Sequence, residues 1–195
     1  MKTSNRDKNP NDHAMVISYL GIRRAVGILG IAFPVIMIVG YWIADGEGIR
    51  SSISSYYHTP MRDLFVGILS AVALFLFSYT GYDQKDNIAG DLAAIFALGV
   101  AFFPTSSSLV GTIHLISAVL FFLTLAFYSL FLFTKGDPTP TKQKLKRNRV
   151  YQICGYLILG SILLMLLYSI IPGFHNVLRL LKPIFWLETL ALWAF

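Results

Sequence analysis

The chain has 195 residues, of which 55% are hydrophobic and 13% charged, with a net charge of +6 and a mean hydropathy of +0.63. Soluble domains carry roughly 25% charged residues, so this composition excludes an ordinary soluble domain and points to a protein solvated by lipid. The single cysteine, Cys154, excludes a disulfide framework or a cysteine-based metal site within one chain.

Residues 1–13 (MKTSNRDKNPNDH) are polar and read as a disordered or surface-lying tail. Ala14 to Leu20 reads as a short interfacial helix leading to Arg23 and Arg24, so residues 1–24 form a cytoplasmic lead into one transmembrane domain, 25–195. No cleavable signal peptide is visible, because polar residues precede any apolar stretch and the two arginines interrupt the first apolar run.

Six apolar runs occupy the rest of the chain. The first, 25–44, contains Pro34 and glycines, which spanning helices tolerate. The second, 61–82, opens behind Pro60, a residue suited to a helix start. The third, 88–104, is short and carries Asp91. The fourth, 113–134, has no charge after His114, and the fifth covers 150–171. The sixth covers 182–195, about 21 Å of helix against a hydrocarbon core of about 30 Å. The last run is therefore expected to continue past Phe195 in the natural protein.

With the N-terminus inside, twelve Lys and Arg flank the inner side of these runs and four (Arg50, Arg62, Arg179, Lys182) the outer side. That bias predicts a cytoplasmic N-terminus. It turns the basic excess into a topology signal that also suits contact with anionic lipid, leaving no nucleic-acid partner to expect. The expected fold is all-α: a polytopic transmembrane helical bundle of six spans, with its polar site on the extracytoplasmic face of the plasma (inner) membrane of a prokaryote. Oligomeric state is not legible from the residues.

In this topology spans two, four and six begin on the outer side, and each beginning carries an ionisable residue: Arg62 and Asp63, His114, and Glu188. The outer loops add Ser52, Ser54, Tyr57, His58, the Ser106–Ser108 triplet and His175. Each has a plainer role beside a functional one. Asp63 suits the first turn of a helix through the macrodipole, and Arg62 can snorkel to headgroups. His114 can bond a neighbouring loop carbonyl, the serines can cap span four, and Tyr56 and Tyr57 fit an aromatic belt. Asp91 is expected at the bundle interior or near Lys85. Glu188 is the exception, because an ionisable group about 9 Å along a spanning helix beyond Lys182 is costly unless partnered. The partners expected for it are Arg62, His58 or His114.

His58, Asp63, His114 and Glu188 are residue types of acid–base chemistry or of a divalent metal site, although no HExxH, His-x-His or GxSxG pattern is present. Ser52, Ser54, Tyr57 and Arg62 are the candidate ligand-binding residues. Three converging helix N-termini would favour an anion such as a phosphate headgroup.

The stretch SISSYYHTPMRDLF (residues 52–65), together with His114, Ala118, Phe121 and Phe122, resembles the Frag/DRAM/Sfk-type six-span membrane proteins and the bacterial proteins grouped near them. The resemblance covers about residues 25–195 and implies a role in lipid handling. The expected activity is recognition of a membrane lipid or other anionic amphiphile in an outer cleft. The alternative is an integral-membrane hydrolase or acyl transferase, metal-dependent or not, working on lipids there. A transporter ranks last, since no internal repeat and no charge at the centre of spans one to five is present.

Overall fold

A computed structural model describes residues 10–45, 48–78, 84–135, 141–171, 173 and 178–195. Among these residues the regular structure is helical throughout. Among the described residues six α-helices are delimited: α1 (Pro10–Asp45), α2 (Arg62–Phe77), α3 (Gln84–Phe102), α4 (Leu109–Phe127), α5 (Lys142–Ile170) and α6 (Pro183–Ala194). Three segments are long and apolar enough to cross a membrane: Arg24–Ala44, Leu109–Leu132 and Lys142–Ile170. The helices α2 and α6 are shorter, at 16 and 12 residues. Large apolar side chains such as Ile28, Ile31, Leu115, Leu163 and Ile170 lie exposed on the outside of the bundle. Water would penalise such a surface and lipid does not, which makes this an integral membrane protein.

Several helix ends differ from the expected boundaries, each for a local reason. The separate interfacial helix does not exist, because α1 runs unbroken for 36 residues from Pro10. Proline is accepted at the first helical position, and Arg23 and Arg24 are good helix formers that interrupt hydropathy without interrupting the backbone. Residues 1–9 and 79–83 lie outside the described residues, so the tail before Pro10 and the expected end of the second span at Tyr82 are not seen. The helix α3 starts earlier than expected, at Gln84, with Asp86 in its first turn, where the dipole favours it. The helix α5 also starts early, at Lys142, because the Thr141 side chain accepts a hydrogen bond from the Lys144 N–H at 3.2 Å and caps the first turn.

Each helix packs beside the next in sequence, and α6 returns to α1, closing a ring. The helix α3 is the tightly held member between α2 and α4. Its buried Ala89, Ala93, Ala97 and Ala101 recur every four residues and let neighbouring backbones approach. Within α1, Pro34 supplies no N–H for the carbonyl of Gly30. One residue on, the Trp193 indole of α6 donates to the Ile31 carbonyl at 3.2 Å and ties the two helices together.

The apolar segment Leu109–Leu132 is continuous, but its last five residues, Tyr128–Leu132, form a π turn closed by the Phe133 N–H to the Tyr128 carbonyl at 2.9 Å. The extra residue in this turn re-aims Tyr128 toward the N-terminus of α3.

Candidate functional site

One end of the bundle is a cap made from residues 48–61 and the α3–α4 connection. Its centre is the 3₁₀ turn Ser54–His58. Ile53 and Tyr56 of this segment are buried with Phe65 and Phe185. Tyr56 packs edge-on to Tyr41, with ring centroids 5.5 Å apart, and lies 6.3 Å from Phe185. Burial pushes the Tyr56 phenol above its ordinary value, and its oxygen accepts from the Arg50 N–H at 3.4 Å. The backbone is tied as well, with the Phe185 N–H donating to the Ser51 carbonyl at 3.2 Å. The apolar side chains offered by the turn thus hold the loop down on α1, α2 and α6.

Glu188 points into the protein, under this cap, and its partner is not a cation. Its Oε2 accepts from the Ile53 N–H at 2.5 Å, and the Ser54 N–H faces the same carboxylate. Ile53 is the N-cap of the 3₁₀ turn and its side chain carries no polar atom, so it offers no cap to the N–H groups of Ile53 and Ser54. Glu188 supplies the acceptor from another helix. The expected pairing with Arg62, His58 or His114 is therefore corrected: among the described residues the carboxylate is met by the loop amides of Ile53 and Ser54. Because the carboxylate already occupies the positive end of this turn, an anionic ligand has no place there. Beside Glu188 and Ser54 is a cavity of about 30 Å³, otherwise walled by apolar side chains including Phe65, Phe121 and Phe122.

Both described histidines of the cap brace the α3–α4 connection. The exposed His58 has Nε2 at 2.6 Å from the Thr105 carbonyl and 3.0 Å from Thr105 Oγ1. His114, only 4% exposed, has Nδ1 2.7 Å from the Phe103 carbonyl. The last carbonyls of α3 lack intrahelical partners, and His114 reaches back from α4 to serve one. Asp63 is exposed in the first turn of α2. Among the described residues no three His, Cys, Asp or Glu side chains come together in a way that could hold a metal ion. The metal set of His58, Asp63, His114 and Glu188 is thus not assembled. Backbone groups of two connections claim three of the four, and His175 lies outside the described residues.

The serines serve turns. The Ser52 hydroxyl accepts from the Ser55 N–H at 3.0 Å, and the Ser55 hydroxyl donates to the Ser52 carbonyl at 2.6 Å. Ser108 is the N-cap of α4 without a side-chain bond to the helix, and its hydroxyl instead meets that of Ser106 at 2.7 Å.

What the cap leaves facing outward is arginine on tyrosine. The exposed Arg62 lies with its guanidinium carbon 4.7 Å from the Tyr57 ring centroid, and its Nη2 donates to the Tyr57 hydroxyl at 3.0 Å. Tyr57 is itself buried and sits edge-on to Phe65 at 6.1 Å. Arg50 repeats the arrangement over Tyr41 at 5.8 Å, and among the described residues its enclosed Nε has no hydrogen-bond partner.

The opposite end carries a polar knot that spacing alone did not reveal. Asp86, 2% exposed, pairs with Lys135 at 2.5 Å. The Tyr128 hydroxyl from the π turn donates to the Asp86 carbonyl at 3.2 Å, and Lys144 Nζ donates to the Lys135 carbonyl. An acidic residue opening a helix, with a lysine just past the end of the next one, was the available signal.

Comparison of the chain with protein-family models, with curated proteins and with solved structures finds no match in any of the three.

Proposed function

We propose that this is a six-pass protein of a prokaryotic plasma membrane, with a cytoplasmic N-terminus, whose outer cap recognises the anionic headgroup of a lipid or related amphiphile. The observation that carries this reading is Arg62, exposed yet held over Tyr57. A guanidinium has five donors in a rigid fork suited to phosphate or carboxylate. Stacking and one bond to the tyrosine hydroxyl fix the fork while leaving donors free, which lowers the ordering cost of binding. The unpartnered Nε of Arg50 supports the same reading, since a buried donor calls for an acceptor. The resemblance to lipid-handling six-span proteins points the same way. For the hydrolase or acyl-transferase alternative, no corresponding support comes from His58, His114 and Glu188, whose contacts brace the cap.

Short-chain phosphatidylglycerol titrated onto the purified protein tests the cap. Arg62→Ala is expected to weaken binding roughly fivefold to tenfold, with Arg62→Lys intermediate, because lysine keeps the charge and loses the fork. Phosphatidylcholine of equal chain length should bind weakly to all three. Equal phosphatidylglycerol affinity for Arg62→Ala and the unaltered chain would remove the cap as the recognition site.

Topology has its own test in a Cys154→Ser background. Ser54 is buried, so the exposed Ser51 and Lys142 are the labelling positions. Ser51→Cys should react with an impermeant maleimide in intact cells, and Lys142→Cys only after permeabilisation. The reverse pattern would invert the orientation.

A further inference from the structure

On the side of the bundle where α3 and α4 run past each other lies an open groove of about 390 Å³. Its walls are two helical stripes, Ile88 and Leu92 of α3 facing Leu120, Leu123 and Phe127 of α4, all of them exposed. Ala89 lies buried between the stripes, and its single methyl keeps the groove deep. The one hydroxyl in the lining, that of Thr124, is spent on its own helix, donating to the Leu120 carbonyl at 2.8 Å. One charge lines the groove: Lys85, in the first turn of α3 and on the same stripe as Ile88 and Leu92. From Lys85 to Leu92 is about 10 Å along the helix, so the groove is a greasy slot of roughly a third of the hydrocarbon core with a cation at one end.

We propose that this groove seats an acyl chain of an anionic phospholipid, with the lipid phosphate on Lys85. Charge complementarity selects this occupant. The only carboxylate next to Lys85 in sequence, Asp86, is turned inward and paired with Lys135, so it does not neutralise Lys85. The knot behind it adds Lys144, which leaves this end of the bundle positive. Asp91 is exposed but does not line the groove, lying off the stripe of Lys85, Ile88 and Leu92. An acyl chain matches the length, the apolar walls and the absence of free hydrogen-bonding groups along the slot, while a phosphate matches its end. The π turn contributes indirectly, since it aims Tyr128 at the Asp86 carbonyl and so holds the first turn of α3, which carries Lys85, in place. This inference rests on the chain lying in a membrane and not on the cap described above.

The test is native mass spectrometry of the full chain released from nanodiscs containing equal phosphatidylglycerol and phosphatidylcholine of the same chain length. The unaltered chain should retain phosphatidylglycerol preferentially. Lys85→Gln should lower that preference roughly fivefold, the effect of one cation near an anionic headgroup. Lys142→Gln, a lysine outside the groove, should leave it unchanged. Leu123→Trp, which fills the slot at an exposed position, should reduce retention of both lipids. Repeating Lys85→Gln and Leu123→Trp in an Arg62→Ala background, which removes the cap's share of retained lipid, should give the same losses, and this separates the groove from the cap. Undiminished phosphatidylglycerol preference in Lys85→Gln overturns the proposal, as does unaltered retention in Leu123→Trp. Efficient cross-linking of Leu123→Cys to a second copy in the nanodisc would also overturn it, because the groove would then belong to a dimer interface.

Discussion

Replacing Glu188 by Leu is expected to free the loop 48–61 from the bundle and to lower stability by about 3 kcal/mol or more. The carboxylate takes the Ile53 N–H at 2.5 Å and faces the Ser54 N–H. A hydrogen bond contributes about 0.5–1.5 kcal/mol, and each buried donor left unmade costs about 1–3 kcal/mol. Leucine fills the volume but accepts nothing, so the Ile53 and Ser54 N–H groups would have to find water. Gln keeps one acceptor oxygen and should cost only about 1 kcal/mol. The order Leu worse than Gln is the discriminating result. If Glu188 were instead half of a buried ion pair, Gln and Leu would strand the same cation and cost alike. Hydrogen exchange over residues 49–59 reads this directly: exchange should rise strongly in Glu188→Leu and slightly in Glu188→Gln. Unchanged protection in both variants would mean that the loop is held by Tyr56 and Phe185 alone.

That Glu188 faces inward could be read from its depth in an apolar run, because lipid gives a carboxylate no partner. Which group meets it could not be read. The partner is a backbone donor of a short turn, and turn amides carry no signature in the side-chain pattern unless the turn itself is foreseen. The same limit explains His58 and His114. Their residue type suggested chemistry, while the carbonyls of Phe103 and Thr105 that they serve become visible only once α3 ends at Phe102. Apolar runs located the helices well, since hydropathy reports burial in lipid or protein. They located the ends poorly at α1, α3 and α5, where polar first turns are helical through capping and dipole and not through hydropathy. The knot of Asp86 and Lys135 joins residues far apart in the chain through a π turn, and no spacing rule predicts that register change. Arg62 was legible as an exposed cation behind Pro60, but the stacking that orders it depends on the 3₁₀ turn placing Tyr57 beneath it.

Replacing Gly111 by Ala is expected to cost about 3 kcal/mol or more, the largest effect of any single methyl in the cap. Gly111 is buried in the first turn of α4. There the α3–α4 connection folds back so closely that an added Cβ would collide with the backbone carbonyl of Ser106, and would lie 2.6 Å from its nitrogen and 2.7 Å from its carbonyl carbon. These are main-chain atoms, so no side chain can swing aside to make room. Overpacking a well-packed site costs typically about 1–3 kcal/mol, and more where backbone must move. Movement here is resisted from three directions. His58 holds Thr105, His114 holds Phe103, and Ser106 is bonded to Ser108 at the helix start. Alanine should therefore either lift the 103–106 segment, breaking the bonds to both histidines, or push α4 away from α3. A control is Gly67→Ala, where an added methyl meets nothing within 4 Å. That change should be neutral or slightly stabilising through helix propensity. Thermal unfolding of the two variants in one detergent tests the contrast. A Gly111→Ala protein as stable as Gly67→Ala would show that the connection is not clamped where Phe103, Thr105 and Ser106 are placed.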